Sequence, residues 1–222
     1  MRCSYERFFS KGGITKEQFF DFGMKETIYP CAEKATQYWE ELKKRVFDGQ
    51  NVYIRGFGRG GKNSYLYEEF YKAVLGHENV GIDSTNNSKP PLVIEELTKY
   101  SKRERTGYEF IRNYQVSHVF GRTKNVFAFT APWNIVYIPK LLDPLTGHEA
   151  KGSFVDEYTK LFQKESYKRF QSLIEDYNEI MNDKIFREKI EVYISERLLD
   201  TREEKEFVKS VHDEINPIDI KD

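Results

Sequence analysis

The chain has 222 residues, of which 39% are hydrophobic, 32% charged and 15% aromatic, with a formal net charge of −1. So many aromatics exclude charge-driven disorder, and the near-neutral balance excludes a whole-molecule field that attracts polyanions; an anion-binding surface must come from local segregation of charge. Cys3 and Cys31 form no CxxC pair, which argues against a zinc ribbon and suits a reducing compartment, and without a long apolar run or a signal-peptide core the expectation is a cytoplasmic protein with no membrane association.

In chain order, Thr15-Lys16-Glu17-Gln18 has the form of a capping box ahead of Phe19, Phe20 and Phe22, which predicts a short helix. From Ala32 to Asp48, the residues Ala35, Tyr38, Trp39, Leu42 and Val46 fall on one helical face, and Gly49 ends the pattern. A short strand from Val52 then runs into a glycine-rich basic loop and a helix from about Tyr65 to Leu75. The spacing from Gly56 to Gly61-Lys62 has the shape of a phosphate-binding loop, but Asn63 stands where a hydroxyl should ligate magnesium, which argues against a nucleoside triphosphate site. Backbone amides opened by glycine, a helix N-terminus and the cations Arg55, Arg59 and Lys62 suit a different anion, the backbone or bases of DNA; the alternative is a plain solvated loop.

Residues 76–91 are polar and turn-forming and read as an exposed loop or boundary, with His77 at the surface and Asp83 in loop chemistry. A helix is expected over Leu92–Tyr100. Lys99, Lys102, Arg103, Arg105 and Arg112 then outnumber Glu104 and Glu109, making either a solvated charged face or a phosphate track. Tyr114–Val119 is a β-branched and aromatic run, read as a strand ending on Ser117-His118. After a loop, Pro132-Trp133-Asn134 leads into a second strand over Ile135–Ile138. Turns follow at Asp143-Pro144 and Thr146-Gly147, and His148 stands at the entry of a long helical pattern. That pattern carries Phe154, Tyr158, Leu161 and Phe162, and then Phe170, Leu173, Ile174, Tyr177 and Met181. A further helix spans Ile190–Val211, with His212 at the surface near its end.

Strand, loop, strand and helix carrying His118, Asn134 and His148 in that order resemble the ββα-metal nucleases, the HNH family. The resemblance covers residues 114–152, with Lys151-Gly152 a further common feature. It departs at Ser117, where the family usually has Asp or His. What it implies is an α+β protein with a ββα-metal core at 108–162, embedded between an N-terminal α/β part at 1–107 and C-terminal helices at 163–222. The implied activity is endonucleolytic cleavage of double-stranded DNA, in the manner of a bacterial restriction endonuclease acting as a homodimer, with Mg²⁺ or Mn²⁺ as cofactor. His118 matches the general base and Asn134 the residue that bonds backbone across the loop and aims it. His148, with Asp143 or Ser117, would hold the metal, and Arg122 and Lys124 would grip substrate phosphates.

The chemistry is consistent with these residue types. Cleaving a phosphodiester needs water deprotonated in line with the leaving oxygen and positive charge at the phosphate, and an imidazole titrating near ~6.5 is a suitable base. A single histidine at a strand end is more often structural. The competing reading from another class is therefore a non-catalytic reader of modified DNA on the same fold.

Overall fold

The computed structural model of the protein describes residues 3–83, 85, 88–146, 149–198 and 200–220. After α1 (Ser4–Gly12), Thr15 opens α2 (Lys16–Glu26) with the expected reciprocal cap: Gln18 N donates to its hydroxyl at 3.2 Å, and Thr15 N donates to Gln18 Oε1 at 2.9 Å. In α3 (Ala32–Phe47) the buried stripe is Ala35, Trp39, Leu42 and Val46, as the 3.6-residue period requires.

Next, β1 (Val52–Arg55), α4 (Tyr65–Leu75) and β2 (Val80–Asp83) form a strand–helix–strand unit with parallel strands, registered from Val52 opposite Val80 to Arg55 opposite Asp83. β2 and the start of α5 (Lys89–Thr98) occupy the stretch whose composition suggests an exposed loop. The polar residues there are consumed by capping. The buried Asp83 carboxylate accepts from Ser88 N at 2.8 Å, Lys89 N at 2.9 Å and Ser88 Oγ at 2.7 Å. Pro90 and Pro91 fall in the first turn of α5, where a missing N–H costs little. His77, expected at the surface, is buried, and its Nδ1 accepts from Asn79 N at 3.2 Å.

Two short parallel strands, β3 (Tyr100–Ser101) and β4 (Glu109–Phe110), clamp the ends of the basic loop. β5 (Tyr114–His118) then pairs antiparallel with β6 (Ile135–Pro139), from Tyr114 opposite Pro139 to His118 opposite Ile135. Val136 and Ile138 pack with Phe20, Leu142, Tyr158 and Phe162 on one face of β6. Ile135 and Tyr137 pack with Ile94 and Val116 on the other. Burial on both faces explains why this strand reads as a continuous apolar run.

The helix after the hairpin, α6 (Ser153–Arg169), begins later than the sequence pattern suggests. Gly152 precedes it at φ 110° and ψ 171°, a conformation that ends any continuous helix on its N-terminal side, and His148 lies outside the described residues. α7 (Gln171–Asn182) follows after a break at Phe170. The pattern over Ile190–Val211 resolves into two helices, α8 (Lys184–Ser195) and α9 (Arg202–Glu214). Thr201 starts the second by accepting from Glu204 N at 3.1 Å, and Leu198, within the span expected to be one helix, is exposed in the connection. The largest apolar cluster unites Trp39, Ile54, Tyr71, Phe127, Trp133, Ile174 and Phe207, and so draws on all three segments of the chain. The architecture is α+β.

Candidate functional site

The hairpin places His118 on the last residue of β5, half-buried, opposite Ile135. Its Nε2 lies 2.9 Å from the carbonyl oxygen of Phe129, and its ring stacks on that of Phe129 with centroids 5.5 Å apart and planes at 8°. A carbonyl only accepts, so Nε2 carries the proton and Nδ1 is left with a lone pair. None of the described residues bonds Nδ1. Burial pushes the imidazole down to about 4; the positive charge of Arg55 adds to this, and the negative charge of Glu214 opposes it. At neutral pH the ring is therefore uncharged, with one nitrogen fixed by the backbone and the other able to take a proton.

The loop that supplies the Phe129 carbonyl is closed by Asn134, which is fully buried. Its Oδ1 accepts from Phe120 N at 2.9 Å, and its Nδ2 donates to Gly121 O at 2.8 Å and Ala128 O at 2.9 Å. The bonding across the loop expected of this residue is present. Sequence reasoning missed a second asparagine with a comparable task. Asn125 Oδ1 accepts from Phe127 N at 2.9 Å, while Nδ2 donates to the Tyr177 hydroxyl at 3.0 Å and to Glu214 O at 3.1 Å. Its one sequence signal is the general preference of asparagine for turns.

Ser117 and His118 are strand neighbours, so their side chains leave opposite faces of β5. The Ser117 hydroxyl donates to Thr146 Oγ1 at 3.0 Å, and Thr146 Oγ1 donates to the Asp143 carbonyl at 3.1 Å. Burial raises the Asp143 carboxyl, and Glu149 raises it further against the pull of Lys140 and Lys102. The Thr146 hydroxyl thus links Ser117 to the Asp143 backbone, on the face of β5 opposite His118. Among the described residues no three His, Cys, Asp or Glu side chains gather as a metal-binding group. The oxygen donors at Ser117, Thr146 and Asp143 have the hard chemistry that Mg²⁺ accepts, with water completing its octahedron. The expected ligand His148 lies outside the described residues.

The expected phosphate contacts divide into two groups. Arg122 and Lys124 are spent inside the protein: an Arg122 guanidinium nitrogen donates to Asp213 O, and Lys124 Nζ pairs with Glu214 Oε1 at 2.7 Å. They stitch the loop to the end of α9. Arg55, Arg59 and Lys62 are exposed on the glycine-rich segment, and Lys102 and Arg103 on the basic loop. Arg105 lies over the Tyr108 ring, 4.2 Å from its centroid. On the other flank, Gln163 of α6 donates to Val119 O at 3.1 Å, next in the chain to His118. That side of α6 borders a cleft of about 960 Å³ whose lining includes Lys151, Asp156, Lys160, Gln163 and Asp219.

The class of protein that emerges is an α+β protein built around an antiparallel hairpin, with a histidine whose tautomer is set by the loop it precedes. Residues 30–220 match the family described as uncharacterised protein PM1201. A protein of Pasteurella multocida (strain Pm70), described as uncharacterized protein PM1201, is 40% identical over 220 residues, 97% of this chain and 96% of the relative. The chain belongs to the PM1201 family. No solved structure matches it.

Proposed function

We propose that this protein is a DNA endonuclease of the ββα-metal, HNH type, with His118 as general base. The observation that carries the reading is the state of His118: one ring nitrogen donates to Phe129 O at 2.9 Å, and the other has no protein partner among the described residues. Support comes from the setting, a hairpin whose loop is locked by the three side-chain bonds of Asn134 and which α6 follows in the chain. In this mechanism Nδ1 takes a proton from a water that attacks phosphorus in line with the leaving oxygen, while the Phe129 carbonyl steadies the imidazolium that forms. Arg55 supplies positive charge on the substrate side. A divalent cation, proposed from the family resemblance as Mg²⁺ or Mn²⁺, would neutralise charge at the phosphate when bound; the resemblance gives its ligands as His148, outside the described residues, with Asp143 or Ser117. Restriction of duplex DNA by a homodimer is the finer form of the proposal.

The test is incubation of the purified protein and its His118→Ala variant with unmodified plasmid DNA, in Mg²⁺, in Mn²⁺ and in EDTA. Metal-dependent discrete fragments from the wild type alone are the expected result. A smear would keep the chemistry and remove sequence-specific restriction. DNA binding without cleavage in either metal would replace the nuclease with a non-catalytic reader.

A further inference from the structure

We propose that the exposed end of the strand–helix–strand unit is the phosphate grip of the His118 site, with Arg55 on the phosphate nearest His118 and Arg59 and Lys62 on its neighbours along the strand. The inference rests on the nuclease reading and names the element that presents the substrate to it.

Three observations carry it. The first is attachment: Arg55 N donates to Thr123 O at 2.9 Å, which fixes the end of β1 to the loop five residues beyond His118. The second is the build of the segment. Ser64 Oγ accepts from Phe57 N at 2.9 Å and donates to Gly61 O at 2.7 Å, Asn63 N donates to Phe57 O at 3.1 Å, and Gly58, Gly60 and Gly61 sit at φ 75°, 65° and 75°. The backbone is thus preset before any ligand arrives, which reduces the ordering cost of binding. The third is that Arg55, Arg59 and Lys62 are exposed and make no side-chain hydrogen bond or ion pair with a described residue. By contrast, Arg122 and Lys124 on the adjoining loop are consumed by α9. A rigid loop that carries free cations and is tied through β1 to the loop after His118 fits a polyanion.

The same geometry selects nucleic acid over a nucleoside triphosphate. In a phosphate loop a hydroxyl after the lysine must be free to meet magnesium. Here Asn63 follows Lys62, and the next hydroxyl, Ser64, is buried with both of its bonds spent on the loop itself.

The experiment uses the full-length protein and a labelled DNA duplex. Binding is followed against salt concentration and cleavage in Mg²⁺, for wild type, Arg55→Ala, Arg55→Lys and the double variant Arg59→Ala/Lys62→Ala. These positions are exposed, and unchanged circular dichroism and thermal midpoints will show that the variants fold. The double variant is expected to flatten the logarithmic salt dependence by about two phosphate contacts. Arg55→Ala is expected to lower the cleavage rate about tenfold to a hundredfold, with Lys recovering part of it, since a hydrogen bond to a charged group is lost. Wild-type cleavage with no change in any variant would overturn the phosphate grip and leave the nuclease intact. A wild type that binds without cutting would still test the grip through the salt slope. A wild type that neither binds nor cuts DNA would overturn both.

Discussion

β1 and β2 run parallel with α4 between them, and the segment leaving β1 is glycine-rich, basic and exposed around Arg59; β5 and β6 run antiparallel, and the chain between them is buried from Asn125 to Asn134. Both units are two-stranded ladders closed by an ordered loop. In the first, backbone and Ser64 hold the loop so that charged side chains can reach outward. In the second, two asparagines hold the loop so that a carbonyl can point inward at His118. The difference follows from electrostatics. In the proposed nuclease, cations that meet a polyanion would stay hydrated until it arrives, whereas a base needs a fixed tautomer, and hydrogen bonds fix one best where water does not compete.

The comparison breaks most severely at His118. His118→Ala is expected to lower the rate of DNA cleavage by roughly 10²–10⁴-fold, the usual contribution of a general base, with duplex affinity near wild type. Single-turnover cleavage alongside equilibrium binding measures both, and a variant that cuts at the wild-type rate would end the assignment. Asn134→Ala comes next. It leaves Phe120 N, Gly121 O and Ala128 O without their side-chain partner in a buried loop, and is expected to cost about 2–4 kcal/mol in urea unfolding and to reduce cleavage as Phe129 shifts.

Acid probes the same inward-facing design. The unfolded chain takes up an imidazole proton as pH falls below about 6.5, while folded His118 resists it until about 4, so the stability it confers is complete above 6.5 and is lost as pH falls toward 4. His77, also pushed down by burial, contributes with the same sign. The part belonging to His118 is therefore the extra loss of wild type over His118→Ala between pH 7 and pH 5, expected at about 1–2 kcal/mol. An equal loss in both proteins would show that burial does not lower the His118 imidazole. The same depression moves the acid limb of cleavage well below the 6.5 of a free imidazole. The smallest effect is expected at the junction with α9. Glu214→Ala removes the acceptor of Lys124 N at 3.0 Å and of Lys124 Nζ at 2.7 Å, for about 1–2 kcal/mol by thermal unfolding, with little change expected in affinity for DNA because the proposed phosphate grip does not include Lys124.

Several elements were legible because the signal is local. Thr15 and Gln18 cap each other three residues apart, the α3 stripe repeats with the helical period, and the β-branched and apolar runs at 114–118 and 135–138 are strands. Other signals were local too but misled. The polar composition of 76–91 belongs to caps around Asp83 and hides a strand, and the stripe from Ile190 to Val211 continues through a break. The residue types at the hairpin were likewise readable, including the bonding role of Asn134. Asp143 was expected beside Ser117 as a metal ligand from the family resemblance, and the link that joins the two, through the Thr146 hydroxyl and the Asp143 carbonyl, had no signal in the sequence.

By itself, the sequence determined the α+β class, most helix and strand positions, and the histidine and asparagine on which the hairpin depends, because capping, periodicity and turn chemistry act over a few residues. Tertiary structure alone decided which carbonyl sets the tautomer of His118, which cations remain free and which are spent on α9, and that the end of β1 at Arg55 is bonded to Thr123 in the loop after His118. A backbone carbonyl has no residue-type signature, and Arg55 meets Thr123 only when the chain between them folds.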